Sequence, residues 1–315
     1  MFIGELFYYS LMLYFCIFAV AAIAGMFTER AGIVNVAING MMIFGCLGYT
    51  LTGHLLGTDT EKNFGHTLLC TLVGLLLGLL TSLLFGFATI KLKSSQTISG
   101  FAFNLLATGV SLFLLVTFGE SRKFVLNTPE IGIFVNAQNA EGAEFKFEII
   151  TWKLILTLAI IFGGWFLLYK TKWGLRFRSV GENPNASDAA GINVNSYKWQ
   201  SVLISRGLAA LAGTFFGQAT TLSTTFDGDV QGIGYLALAI MITGQWNILN
   251  IAVFSLFFAA MLGVANISPA SKSIAPFSDI VLTLPYFITI LVIIFTAKRS
   301  KAPAAAGLPY DKSMR

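Results

Sequence analysis

Polar positions along the 315-residue chain are gathered into short intervals between long apolar runs. The runs occupy residues 8–26, 31–51, 67–90, 97–118, 152–169, 199–222, 233–243, 248–265 and 280–297. Most approach the roughly 20 helical residues that the hydrocarbon core of a bilayer requires. In lipid a backbone must satisfy its hydrogen bonds within its own segment, so each run is predicted to be a helix. The expected fold is all-α: a polytopic membrane protein of about nine spans (eight to ten). It forms one transmembrane domain over residues 1–297, with a long polar loop at 170–198 and a basic tail at 298–315.

The seventh run covers about half of a usual crossing. Gly228, Gly232 and Gly234 stand at its entrance, so a broken or partly unwound span is expected there. Irregular backbone at membrane depth is tolerated only beside protein or a water-filled cavity. A short helix in a locally thinned bilayer is the alternative. Elsewhere, Gly74 and Gly78 in the third run, and Ala209, Gly213 and Gly217 in the sixth, put small residues one turn apart on a face. That spacing predicts close helix approach.

Composition excludes a water-soluble domain. The chain is 56% hydrophobic and 11% charged, with a mean hydropathy of +0.76, whereas a soluble domain carries about a quarter charged residues. The net charge of +5 is unevenly placed. Lys91 and Lys93 follow the third run, and Lys170, Lys172, Arg176, Arg178 and Lys198 follow the fifth. Lys298, Arg299, Lys301, Lys312 and Arg315 make up the tail's charge. With nine spans these clusters fall on one side, the cytoplasm by the positive-inside rule, which leaves the N-terminus outside. The first ten residues contain Glu5 and no Lys or Arg, unlike a signal peptide, so the first run is kept as a span. Cys16, Cys46 and Cys70 lie in apolar runs and are expected to be buried hydrophobes. His54 and His66 share a predicted loop with Asp59 and Glu61 at no ligand spacing, so no metal or cofactor is expected.

Most chemistry is excluded as well. No phosphate-binding G-x-x-x-x-G-K-[ST] loop is present, so the chain is not expected to bind ATP. No hydrolytic constellation stands out, and an enzyme is not expected. The spans carry no Asp, Glu or His relay of the kind a proton-driven carrier uses. Arg206, in the inner half of the sixth run, is expected to snorkel toward the cytoplasm. The remaining intramembrane polar groups are neutral. Asn35 and Asn39 share a predicted helix face; Thr97, Asn104, Thr108 and Ser111 form a stripe; Gln218 and Thr221 close the sixth run. They fit either a path for a neutral polar solute or hydrogen bonds between helices. Phe101 and Phe103, beside the stripe, could stack on a base.

The loop at 173–192 is long and rich in small residues. Pro184 suits the first turn of a helix and Gly191 its end, which predicts a short helix from about residue 184 to 190. Exposed Ala186, Ala189 and Ala190 would let it enter a partner's groove, and a bland surface helix is the alternative.

The stretch Gly174-Leu-Arg-Phe-Arg-Ser-Val-Gly-Glu-Asn-Pro-Asn-Ala-Ser-Asp-Ala-Ala-Gly-Ile-Asn-Val194 resembles the coupling loop of bacterial ABC-importer permeases of the branched-chain amino acid and ribose type. Within that type the resemblance is to the nucleoside subgroup served by basic-membrane-protein lipoproteins. Phe27-Thr-Glu-Arg-Ala-Gly-Ile-Val-Asn-Val-Ala-Ile-Asn-Gly-Met-Met42, Gln96-Thr-Ile-Ser-Gly-Phe-Ala-Phe-Asn-Leu-Leu106 and Gly232-Ile-Gly-Tyr-Leu-Ala-Leu-Ala239 are similar to three further signatures. Pro303-Ala-Ala-Ala-Gly-Leu-Pro-Tyr310 looks like the ending of the shorter of two paired permeases. The chain departs from the subgroup at Asn39, where Glu is usual, and at Gly232-Ile-Gly-Tyr235, where Arg-Gly-Phe is usual.

The resemblance implies a nucleoside importer that works with a second homologous permease, an ATPase carrying two nucleotide-binding modules, and an external substrate-binding lipoprotein. No nucleic-acid polymer is implied. Asn35, Asn39, Gln96, Phe101, Phe103, Asn104, Thr108 and Gln218 become path candidates. Glu182, Asn183, Pro184, Ala186, Ala189, Ala190 and Gly191 become ATPase-coupling candidates. Monosaccharide import and ion-coupled transport remain the alternative functions.

Overall fold

A computed structural model of the chain describes residues 2–56, 64–119, 132–138, 144–218, 226–268, 277–297 and 302–310. Nine helices stand where the nine apolar runs were expected: α1 (Phe2–Arg30), α2 (Ile38–Leu55), α3 (Phe64–Gly86), α4 (Gln96–Phe118), α5 (Trp152–Lys170), α8 (Val194–Gly217), α9 (Ile233–Thr243), α10 (Ile248–Ile267) and α11 (Ser278–Ala297). Among the described residues, five of them, α1, α3, α4, α5 and α10, are long and apolar enough to cross a membrane by length and composition. The chain is a multi-pass membrane protein. Two short helices, α6 (Lys172–Glu182) and α7 (Pro184–Ala189), fill the polar loop after α5.

Local sequence explains many of the helix starts. Thr151, Thr171, Asn183, Asn193 and Asn247 each accept a hydrogen bond from a backbone N–H of the following turn, opening α5, α6, α7, α8 and α10. These caps satisfy amides that have no partner within the helix. α3 continues into a π segment, Phe87–Lys91, which ends on the first lysine of the Lys91 and Lys93 pair.

α1 is the axis of the bundle and packs against α10, α8, α9 and α5. Almost every residue from 13 to 27 is buried. The outer helices differ: on α3, Leu76, Leu80 and Leu84 are each about 60% exposed along one stripe, as a lipid-facing surface requires. Small residues do what their spacing predicted. A Cβ at Gly48 would lie 2.8 Å from the Cα of Gly74, and one at Gly213 would run into the Met42 carbonyl, so α2, α3 and α8 meet backbone to backbone. All three cysteines are buried and free.

Four expectations change. Residues 31–37 were predicted to open the second span, but they form a non-helical segment and α2 begins at Ile38. Gly32, at φ +82°, turns the chain there, a conformation that costs a glycine nothing. The all-helical expectation gains a hairpin: β1 (Gly132–Gln138) pairs antiparallel with β2 (Glu144–Thr151) between α4 and α5. His54 and His66 belong to the last turn of α2 and the first turn of α3, while Asp59 and Glu61 lie outside the described residues. Arg206 does not snorkel. Its side chain is fully buried, lies 4.2 Å from the centre of the Phe85 ring and donates to Asn35 Oδ1. Thr221 and the tail's five basic residues also lie outside the described residues.

Candidate functional site

The 31–37 segment and the stretch before α9 make the molecule's central polar junction. Both are irregular backbone leading into a helix, and the two helix N-termini meet. The Gly234 N–H donates to Asn39 Oδ1 at 3.1 Å, and a Cβ at Gly234 would overlap the Asn39 backbone. Gly228 and Gly232 have φ of +102° and +70°, left-handed conformations that glycine adopts readily, in the irregular stretch before α9 begins. The seventh apolar run thus holds a helix of only 11 residues, α9, entered through irregular backbone at residues 226–232, in keeping with the broken or short span expected there.

Asn104 of α4 ties the junction together. Its Oδ1 accepts from the Gly40 N–H at 2.8 Å; its Nδ2 donates to the Val36 carbonyl at 2.9 Å and to the Tyr235 hydroxyl at 3.0 Å. Gln96, at the start of α4, accepts from the Val34 N–H at 2.7 Å. Asn35 donates to Ser205 Oγ at 3.0 Å and accepts from Arg206. Asn39 Nδ2 donates to Asp229 Oδ1 at 3.1 Å. Phe103, 5% exposed, lies edge-on to Phe44 and Phe85 beside the amides.

Asn35, Asn39, Gln96, Phe103 and Asn104 thus come together, though Asn35 and Asn39 do so from a loop and a helix rather than from one helix face. Thr108 sits one turn further along α4, donating to the Asn104 carbonyl at 3.2 Å. Phe101 points outward at 53% exposure. Gln218 caps the far end of α8 and donates to Thr71 at 3.2 Å. It stands thirteen residues beyond Ser205, about 20 Å along the helix at 1.5 Å per residue.

Two groups of residues were not among the path candidates. Asp229 and Tyr235 reach the junction from the α9 side; both stand among glycines that interrupt an apolar run, and Tyr235 also lies in the stretch where the chain departs from the subgroup. Glu29 and Trp246 are the second group. Glu29 Oε2 accepts from the Trp246 indole at 2.6 Å, and Arg30 donates to the Trp246 carbonyl through Nε and Nη2. This latch ties the end of α1 to the turn between α9 and α10.

The coupling candidates lie at the same end of the bundle. Asn183 caps α7 by accepting from the Ala186 N–H at 2.9 Å, Pro184 follows it, and Gly191 leaves at φ +80°. Ala186, Ala189, Ala190 and Gly191 are exposed. Glu182 lies 4.0 Å from Arg30. A capped helix with small exposed side chains offers a firm shape that a complementary groove can approach closely.

Comparison with known proteins agrees with this architecture. The family model described as a branched-chain amino acid transport system permease component matches residues 7–296. The nucleoside ABC transporter permease protein NupC of Lactococcus lactis is 34% identical over 302 residues, covering 93% of this chain and 92% of its own. The guanosine ABC transporter permease protein NupQ of Bacillus subtilis is 33% identical with the same coverage. A second Bacillus subtilis protein, the guanosine ABC transporter permease NupP, is 33% identical over 110 residues, 35% of this chain and 30% of its own. No solved structure matched. With the family model covering nearly the whole helical bundle, the chain belongs to the family of branched-chain amino acid transport system permease components.

Proposed function

We propose that this permease subunit forms half of the path of an ATP-binding-cassette importer for nucleosides. The junction carries the reading: Asn39, Gln96, Asn104 and Tyr235 bring neutral amides and a phenol, with the Asp229 carboxylate, to the place where two interrupted crossings meet, while Arg206 and Glu29 hold Asn35 at its edge. Discontinuous helices whose N-termini converge inside a bundle are a recurrent way to build a solute site in transporters. Amides and a carboxylate match the hydroxyls of a ribose and the edge of a base, and Phe103 offers a ring for stacking. The names of NupC and NupQ support nucleosides as the substrate class.

A second homologous permease completes the path, and the presence of two guanosine permease proteins, NupQ and NupP, in Bacillus subtilis supports such a heterodimer. A cytoplasmic ATPase docks on α7, and an external binding lipoprotein delivers the solute. The N-terminus lies outside and the tail inside, on the positive-inside argument.

The test is purification of the tagged chain from its membranes, identification of the chains that come with it, and uptake by proteoliposomes containing the binding lipoprotein. ATP-dependent guanosine uptake that excess ribose leaves unchanged is the expected result. Uptake blocked by ribose and insensitive to nucleosides would replace the reading with monosaccharide transport. Ala190→Arg places a bulky charge on the exposed face of α7, so ATP hydrolysis and uptake are expected to fall together. An Ala190→Arg transporter working normally would place the coupling contact elsewhere. Single cysteines at Ser95 and Ser196, in a chain lacking its native cysteines, should resist an impermeant thiol reagent in intact cells; labelling of either would overturn the orientation.

A further inference from the structure

The segment at residues 302–310 does not trail away from the bundle. Its Ala305 N–H donates to the Gly181 carbonyl at 3.0 Å, and the Ala304 N–H reaches Glu182 Oε2 at 3.4 Å. Gly181 and Glu182 are the last two residues of α6, immediately before the Asn183 cap of α7. The same segment also touches the 31–37 loop. A Cβ at Gly32 would lie 3.2 Å from the Ala305 carbonyl, and one at Gly307 would lie 3.5 Å from a Val34 methyl. Ala305 is 5% exposed, and Lys198 lies 5.9 Å from the centre of the Tyr310 ring, pinning the far end of the segment to α8.

The 31–37 loop is the element that feeds the polar junction: Val34 bonds Gln96, Asn35 bonds Ser205 and Arg206, and Val36 bonds Asn104. Residues 302–310 therefore lie between the base of the coupling helix and the loop that holds the path residues. Gly181 presses on that loop as well, since a Cβ there would lie 3.2 Å from the Gly32 nitrogen and would run into the carbonyl of Arg30, the last residue of α1. The tail covers this contact from outside.

We propose that residues 302–310 are a transmission clamp, holding Gly181 against Gly32 so that movement of α7 is passed to Asn35, Gln96 and Asn104. The proposal rests on the reading of α7 as the ATPase contact. The clamp acts through other residues, so Ala305 is a positioning residue. A packing element would set only how much protein accumulates. A transmission clamp sets how many solute molecules are moved per ATP hydrolysed.

The experiment uses the complete transporter in proteoliposomes and measures co-purified ATPase, ATP hydrolysis and guanosine uptake for each variant. Ala305→Pro removes the N–H that bonds Gly181. It is expected to retain the ATPase and its hydrolysis, while uptake per ATP falls about tenfold, within the usual range for coupling between sites. Ala305→Ser keeps the N–H and is expected to match the wild type. Should Ala305→Pro fail to accumulate, deletion of residues 302–315 carries the same expectation. Wild-type uptake per ATP in the proline or deletion variant would overturn the clamp alone. Loss of the ATPase from those variants would make the tail a docking element and also overturn it. Failure of the wild-type chain to hold an ATPase would remove the coupling reading of α7, and the clamp with it.

Discussion

Asn104 and Ala190 mark two regions that handle polarity in opposite ways. Asn104 is 5% exposed and spends its amide on three neighbours, one in α2, one in the loop before it and one in α9. Ala190 ends α7 with an exposed methyl and a backbone N–H that bonds within its own helix. The junction is thus held by contacts between distant parts of the chain, whereas α7 is finished locally by its cap, its proline and its glycine. A region built from distant contacts transmits displacement, and a locally finished helix presents a constant shape to a partner. Substitutions should separate the two: changes at the junction ought to disturb assembly and transport together, while changes on α7 ought to spare assembly.

The largest effect is expected at Gly234. Its backbone lies directly against that of Asn39, and any side chain would have to enter the same space. Overpacking of this kind costs about 1–3 kcal/mol or more where backbone cannot move. Gly234→Val should therefore sharply lower both the amount of protein in the membrane and its melting temperature in detergent. A well-assembled Gly234→Val chain would mean that α9 can slide on α2, and the contrast with α7 would weaken.

Next in size is Asn104→Leu, which keeps the volume and removes the hydrogen bonds. It leaves the Gly40 N–H and the Val36 carbonyl without this partner, at about 1–3 kcal/mol for each buried group left unsatisfied. Uptake is expected to drop at least tenfold, with the chain still inserted but melting several degrees lower. Normal uptake would assign the amides to helix packing alone. Thr108→Val removes one bond, from its hydroxyl to the Asn104 carbonyl, and should cost only a fraction of that loss.

The same contrast explains what the sequence disclosed. Asn183, Pro184 and Gly191 are local signals, each with its own backbone consequence, and they placed α7 to within a residue. Apolar runs likewise placed the nine apolar helices, the short α9 among them, because length and hydropathy decide what crosses lipid. The break at residues 31–37 was hidden because Ile33, Val34, Val36 and Ala37 continue an apolar run, and only tertiary partners decide that their backbone is not helical. Gln96 and Asn104 accept the N–H groups of Val34 and Gly40, and neither pairing has a local trace. Arg206 was misplaced for the same reason: its partners, Asn35 and Phe85, come from other parts of the chain. The 302–310 segment reads as proline- and glycine-rich and irregular, so its docking on Gly181 was equally invisible.

The smallest expected effect lies at Phe101, two residues from Phe103 and opposite to it in environment. Phe103 is 5% exposed and packed edge-on against Phe44 and Phe85, whereas Phe101 is 53% exposed. An exposed apolar side chain on a membrane helix contacts lipid about as well when it is leucine, because hydrocarbon surrounds either one. Phe101→Leu should leave melting within about 0.5 kcal/mol of wild type, as surface changes usually do, and should leave guanosine uptake unchanged. Phe103→Leu loses two ring contacts, each worth roughly 0.5–1.5 kcal/mol, and should lower both melting and uptake. The informative failure is a Phe101→Leu chain that melts normally yet prefers different bases. That outcome would bring the outward face of α4 into the path, covered by the second permease, and the junction's boundary would have to be redrawn to include it.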